Sequence, residues 1–285
     1  MSRIAYVNGR YLPHARAQVS IEDRGYQFAD GVYEVCEVRD GKLVDERRHL
    51  ARLERSLGEL RIPQPMSFAA LGVVLRETVR RNRVTNGIVY LQITRGASPR
   101  DFPFPAPPPR PAVVVTARSS SIARLEHMAT DGVAVVTVPD IRWQRVDIKS
   151  VSLLPNVLAK QAARERDAHE AWLVDKDGFV TEGASSNAWI VSRDGKLLTR
   201  ALGTGILPGI TRGVLIDLIK EQGLKLEERA FTVEEAYVAR EAFVTSASQI
   251  VMPVVRIDGR PVGNGAPGLV ASALRRDYHR LAEIS

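Results

Sequence analysis

Seven of the chain's sixteen prolines fall between Arg95 and Pro111. Proline has no amide hydrogen to give to a sheet ladder and fixes its own φ, so neither a helix nor an inner strand can run through this stretch. Regular structure must be built on either side of it, and a stiff loop of this length is a functional segment or a spacer. A second break follows at Arg118–Ser121, where three consecutive serines mark a candidate linker. The expected division is a smaller domain over residues 1–118 and a larger one over residues 122–285, enough chain for two cores.

Before the proline stretch, Asn8-Gly9 separates Ile4–Val7 from Arg10–Leu12 and tolerates the positive φ angles of a two-residue hairpin. Val32–Val38 is rich in strand formers, with Tyr33 and Val35 on one face, and stops at Asp40-Gly41. Leu50, Leu53, Leu57 and Leu60 recur at helical spacing, and Arg52 falls off that stripe, the position of a solvated arginine. A second helix carries Phe68, Leu71, Leu75 and Val79 and ends near Asn86-Gly87, ahead of a strand at Ile88–Thr94. Ala112–Ala117 is a further strand.

After the linker come strands at Val133–Val138, Ala171–Val174 and Ala188–Val191, with a helix starting near Pro155. Leu207–Arg212 opens a helix closed by Gly223, Thr232 and Glu235 form a capping box, and Leu269–Leu281 is the last helix. Ala242–Ser248 is a strand that breaks into small hydroxyl residues.

Of the 40 basic residues only seven are lysine, so each lysine invites an account. Lys42, Lys176 and Lys196 sit in or beside Asp-Gly turns, and Lys160, Lys220 and Lys225 lie in or near helices with solvated faces. Lys149 has neither setting. Its neighbours Val146, Ile148 and Val151 are apolar, and a lysine stripped of water is a nucleophile able to form a Schiff base; otherwise it is a surface lysine at a strand end. Further on, Thr181-Glu182-Gly183-Ala184-Ser185-Ser186-Asn187 reads as a polar turn between two apolar runs. The amides of Ile210 and Thr211, at a helix start, form an anion cup or an ordinary helix start.

The net charge of +7 raises the question of nucleic acid, but the arginines are scattered among acids with no accompanying aromatic-basic run, so a solvated surface is the better account. No apolar run approaches the ~20 residues of a membrane span and no signal peptide opens the chain, so a cytoplasmic protein is expected. The single cysteine, Cys36, excludes an internal disulfide and suits a small hydrophobe in a reducing compartment. Dinucleotide fingerprint, P-loop and nucleophile elbow are missing, and five dispersed histidines lack metal-ligand spacing, so no metal is expected.

Several separated motifs carry a family resemblance. DIKSVSLLPNVLAKQAA at residues 147–163, TEGASSN at 181–187, EDRGYQFADGVYE at 22–34 and GITR at 209–212 together resemble the fold-type IV pyridoxal-phosphate enzymes, most closely the D-amino-acid transaminases. The resemblance implies an α/β (α+β) fold of two domains with the cofactor between them, working as a homodimer. It implies that Lys149 carries pyridoxal 5′-phosphate as a Schiff base and that Glu182 pairs with the pyridine nitrogen. The phosphate would go to Arg52, in a His-x-x-Arg-Leu setting, and to the Ile210 and Thr211 amides, with Leu207, Ser246 and Ala247 completing the cofactor site. Ala247 stands where the family has a threonine and so lacks one donor.

Tyr33 would line the substrate pocket, and Arg100 would grip the substrate carboxylate across the dimer. Phe102 replaces the histidine that usually helps Arg100, a departure from the family pattern at the substrate carboxylate. The activity implied is transfer of an amino group between a D-amino acid, such as D-alanine, and a 2-oxo acid, such as 2-oxoglutarate. Within the same fold the alternatives are a branched-chain L-amino-acid transaminase, an (R)-amine transaminase and aminodeoxychorismate lyase.

Overall fold

A computed structural model describes residues 3–285. The chain divides into two compact units. The first holds the residues up to Ser121 together with Ile148–Ser152 and Glu283–Ser285, and the second holds Ile122–Asp147 and Leu153–Ala282.

The first unit is an antiparallel sheet with helices against it. Its strands are β1 (Ile4–Val7), β2 (Arg10–Pro13), β3 (Gly31–Arg39), β4 (Lys42–Leu43), β5 (Gly87–Thr94) and β6 (Ala112–Ser119), in the order β2-β1-β6-β5-β3-β4. Its helices are α1 (Arg24–Phe28), α2 (Glu46–Glu59) and α3 (Phe68–Asn82). Asn8 and Gly9, at φ 47° and 95°, make the expected hairpin turn between β1 and β2. Along β3 the residues alternate, with Val32, Glu34, Cys36 and Val38 buried and Tyr33 and Val35 half-buried on the other face. Leu53, Leu57, Leu71, Leu75 and Val79 pack on this core from α2 and α3. Helix α3 stops at Asn82 rather than near Asn86, because Arg83 adopts a left-handed conformation (φ 52°) and satisfies the last carbonyls.

The short segment around Lys149 joins this unit through backbone pairing. Tyr33 N donates to Lys149 O at 3.0 Å and Val151 N donates to Gly31 O at 3.0 Å, while Ile148 is buried in the same core. Segment 148–152 thus lies along the start of β3.

The second unit contains α4 (Ile122–Asp131), β7 (Val133–Pro139), α5 (Leu154–Arg164), β8 (Glu170–Val174), β9 (Val180–Gly183), β10 (Asn187–Val191) and β11 (Leu197–Thr199). There follow α6 (Ile210–Glu221), β12 (Leu226–Glu228), α7 (Val233–Tyr237), β13 (Glu241–Ser246), β14 (Ile250–Ile257), β15 (Arg260–Pro261) and α8 (Leu269–Leu281). The sheet runs β12-β11-β10-β13-β14-β7-β8-β9, with β15 on β14. It is mixed: β7 pairs parallel with β8 and β14, whereas β10, β13 and β14 pair antiparallel. Trp172, Phe231 and Met252 lie in its core. Two expectations change here. Helix α4 follows directly on the serine run, where the sequence pattern marks only a linker. Thr181, Glu182 and Gly183, expected in a turn, lie on strand β9, and only Ala184–Ser186 turn the chain into β10.

Candidate active site

The expected residues fall into two groups, one in each unit. Lys149, Tyr33, Arg52 and Arg100 belong to the first unit, and Glu182, Leu207, Ile210, Thr211, Ser246 and Ala247 to the second.

In the first unit, pairing to β3 fixes the Lys149 backbone, and its amide approaches Ser56 Oγ on α2 at 3.4 Å. The Lys149 Nζ stands 4.3 Å from the centroid of the Tyr33 ring, within cation–π range. Tyr33 in turn stacks on Tyr90 at 5.7 Å, and burial, reinforced by the neighbouring Tyr33, pushes the Tyr90 hydroxyl up to about 12. The lysine therefore sits over a two-ring layer built on adjacent strands.

Arg52 is not the solvated arginine its place off the leucine stripe suggests. Its side chain is buried, and Nε and Nη2 each donate at 2.8 Å to the two oxygens of Glu34. His49 Nδ1 lies 2.7 Å from Glu34 Oε2, so one carboxylate on the core face of β3 holds two side chains of α2. Burial alone would raise the Glu34 carboxyl. The Arg52 charge and hydrogen bonds, with the His49 hydrogen bond, outweigh it and hold the group at about 2. Burial pushes His49 below its usual value, against the pull of Glu34.

Both shifts act in the same sense on stability. Glu34 contributes fully above its ordinary 4.5, and that contribution is lost as pH falls towards 2. Below 6.5 the unfolded chain also binds the proton that buried His49 resists, so acidification favours unfolding there as well. We expect stability to fall by on the order of 3 kcal/mol through the acid limb, and the slope below pH 4.5 to flatten in Glu34→Gln. Urea unfolding at a series of pH values measures this; equal slopes in wild type and variant would remove Glu34 from the account.

Arg100 is exposed on the proline-rich loop, yet that loop is anchored. Buried Arg24 and Arg95 share the carboxylate of Asp30, and Arg24 also donates to the carbonyls of Asp101 at 2.5 Å and Phe102 at 3.1 Å. The Arg100 guanidinium stands 5.1 Å from the Phe28 ring and 5.9 Å from the Phe102 ring.

In the second unit the centre is Glu182. Its carboxylate accepts from Arg142 Nη1, from Asn187 Nδ2 at 2.9 Å and from the Leu207 amide at 3.1 Å. Asn187 also donates to Leu207 O at 3.0 Å, so the Leu207 backbone is gripped from both sides. The Arg142 side chain is itself buried between Glu182 and Asp140, with Nη2 at 2.7 Å from Asp140 Oδ2. Burial opposes the Arg142 charge, but the two carboxylates raise its pKa further. Burial works against the Asp140 charge as well, yet the Arg142 hydrogen bonds and charge, with a hydrogen bond from Thr181, keep that carboxyl below its usual value.

Helix α6 begins at Ile210 behind Gly209, which supplies no side-chain cap. A Cβ at Gly209 would meet Asn187 Oδ1 at 2.1 Å, so glycine is required for this approach to the Glu182 cluster. Helix α8 shows the contrast: there the Glu241 carboxylate accepts from the Val270 and Ala271 amides at 3.1 and 3.0 Å. The start of α6, with Thr211 buried, has the donor chemistry that suits a phosphate. Ser246 ends β13, and Ala247 follows in the turn, with Ser246 Oγ 3.4 Å from Ser248 Oγ.

Sequence reasoning gives no role to Glu34, His49, Asn187 or Arg142. Alternation along β3 could flag Glu34, since it shares a face with Val32, Cys36 and Val38. Nothing in the sequence distinguishes Arg142 from its many solvated counterparts.

Residues 31–257 match the family described as Amino-transferase class IV. A D-alanine aminotransferase of Bacillus licheniformis is 44% identical over 261 residues, covering 92% of this chain and 90% of the relative. A D-alanine aminotransferase of Staphylococcus haemolyticus is 40% identical over 98% of this chain and 97% of its own. Among solved structures, a branched-chain aminotransferase of the thermophilic archaeon Thermoproteus uzoniensis with norvaline superposes with a TM-score of 0.86 at 25% identity, covering 100% of this chain and 99% of that one. A second branched-chain amino acid aminotransferase, from T.th. and holding pyridoxamine 5′-phosphate, reaches a TM-score of 0.89 at 27% identity over 98% of this chain and 94% of its own. With its motifs, its mixed α and β architecture and these full-length likenesses in agreement, the chain belongs to the class IV aminotransferases.

Proposed function

We propose that this chain is a D-amino-acid transaminase that holds pyridoxal 5′-phosphate on Lys149 and passes the amino group of a D-amino acid such as D-alanine to a 2-oxo acid such as 2-oxoglutarate. The observation that carries the reading is the buried Glu182 carboxylate, oriented by Arg142, Asn187 and the Leu207 amide. Such a group suits a cationic ring nitrogen. The bound cofactor supplies the electron sink that makes the substrate Cα proton removable.

The residues of the chain supply the rest. Glu182, paired with Arg142, holds a proton on the ring nitrogen. The Ile210 and Thr211 amides take the phosphate, with Arg52 as the cation and the backbone around Ser246 and Ala247 closing the cup. Leu207 stands beside Glu182, its amide already on that carboxylate. The Lys149 amine takes the proton from Cα and returns it at C4′ of the cofactor. The Tyr33 ring covers the amine on one side and lines the substrate space. Arg100 takes the substrate carboxylate, and the rings of Phe28 and Phe102 stand in for a second polar donor as a platform for its guanidinium.

The D-handedness is drawn from the two relatives named D-alanine aminotransferase. We place the working unit as a homodimer in the cytoplasm. Leu154, Val157 and Leu158 leave an exposed apolar face on α5 in keeping with self-association, and the lone buried thiol of Cys36 suits a reducing compartment.

A half-reaction panel tests the proposal. D-alanine should aminate the cofactor of the purified, dimeric enzyme at least about tenfold faster than L-leucine, L-glutamate or an (R)-amine. Amination by L-leucine with D-alanine inert would replace this reading with a branched-chain one, and a monomer in sedimentation would remove the dimer.

A further inference from the structure

We infer that Glu170 is a positioning residue that sets the relation between Glu182 and Asn187, an inference that rests on the function proposed above. Glu170 opens β8 and is buried. One oxygen, Oε2, accepts from Ser185 Oγ at 2.7 Å, Ser186 Oγ at 3.1 Å and Ser185 N at 3.2 Å. The other, Oε1, accepts from its neighbour's amide, Ala171 N, at 2.9 Å and lies 3.3 Å from Lys160 Nζ. One buried carboxylate therefore collects both hydroxyls of the turn that joins β9 to β10.

That turn has Glu182 just before it and Asn187 just after it, and the two side chains meet at 2.9 Å. Its geometry is tight: Gly183 N donates to Ser186 O at 2.7 Å, and a Cβ on Gly183 would meet Ser186 Oγ at 2.2 Å. The two serines therefore face inward because a carboxylate waits for them, and glycine is required because they do. In sequence the serines read as turn formers. In the structure their hydroxyls tie the turn between Glu182 and Asn187 to Glu170 on strand β8. A site that must hold its groups to within a fraction of an ångström needs such support behind it.

Because Glu170 acts through Glu182 and Asn187, its loss should alter the cofactor's electronic environment as well as stability. The test uses holoenzyme with two variants, Glu170→Ala and the double variant Ser185→Ala/Ser186→Ala. The double variant leaves Glu170 paired with Lys160 and removes only the two hydroxyl links, so it guards against a failure to fold. Both should shift the near-visible absorption band of the bound cofactor and the pH at which it titrates. Both should slow the D-alanine half-reaction about tenfold or more, with cofactor still retained on gel filtration. An unchanged band and titration with a half-reaction within about twofold of wild type in the double variant would overturn the inference, even if its unfolding temperature dropped. Failure of the underlying reading looks different: the wild-type protein itself would show no such band and no half-reaction.

Discussion

Lys149→Ala should lose transamination by a factor of about 10⁴ or more, since in the proposed function one amine both holds the cofactor and moves the proton. The variant should fold, because what the structure asks of residue 149 is main-chain pairing. Its carbonyl accepts from Tyr33 N, and its neighbour Ile148 fills the core. Only the Nζ contact over the Tyr33 ring is lost, worth about 0.5–1 kcal/mol. Thermal unfolding near that of wild type, combined with loss of borohydride bleaching and of the D-alanine half-reaction, is the expected pattern. Turnover at a substantial fraction of the wild-type rate would refute the assignment of Lys149.

Much of this can be read from residues alone because it depends on local signals. Asn8-Gly9 turns, Thr232 caps α7, and the leucines of α2 and α3 face the core. Lys149 and Glu182 stand out because they sit within motifs. What escapes depends on long-range pairing between charged side chains. The side chains of Arg24, Arg52, Arg95 and Arg142 are all buried, each against an acid, yet in a chain with so many arginines no local pattern separates a buried one from a solvated one. Glu34 is the exception, since a carboxylate in phase with three apolar residues of a strand demands a buried partner. The grouping of Ile148–Ser152 with the first unit is illegible for a related reason. It depends on backbone hydrogen bonds to Gly31 and Tyr33, more than a hundred residues away, and backbone donors carry no sequence signature. Glu182 reads as a turn residue because its polar neighbours outweigh a strand of only four residues, one that is nonetheless buried throughout.

Arg142 is where removal of a single charge should cost most. Its guanidinium lies between Asp140 and Glu182, with Thr181 Oγ1 donating to Asp140 Oδ2 at 2.8 Å. Arg142→Leu keeps the bulk but leaves two carboxylates facing each other without a cation. Removing one partner of a buried ion pair costs about 3–5 kcal/mol, because the remaining charge has lost its compensation. The cluster can relieve this by binding a proton, and if Glu182 takes it, the group proposed to hold the ring nitrogen cationic becomes neutral. Stability and chemistry should therefore fall together: urea unfolding should show the loss, the cofactor band should shift, and the half-reaction should slow by about a hundredfold. Arg142→Lys separates the two effects. It restores a positive charge without the fork that reaches both acids, so it should recover more of the stability than of the rate. An Arg142→Leu enzyme whose unfolding free energy stays within about 0.5 kcal/mol of wild type would mean that Asp140 and Glu182 do not depend on this arginine.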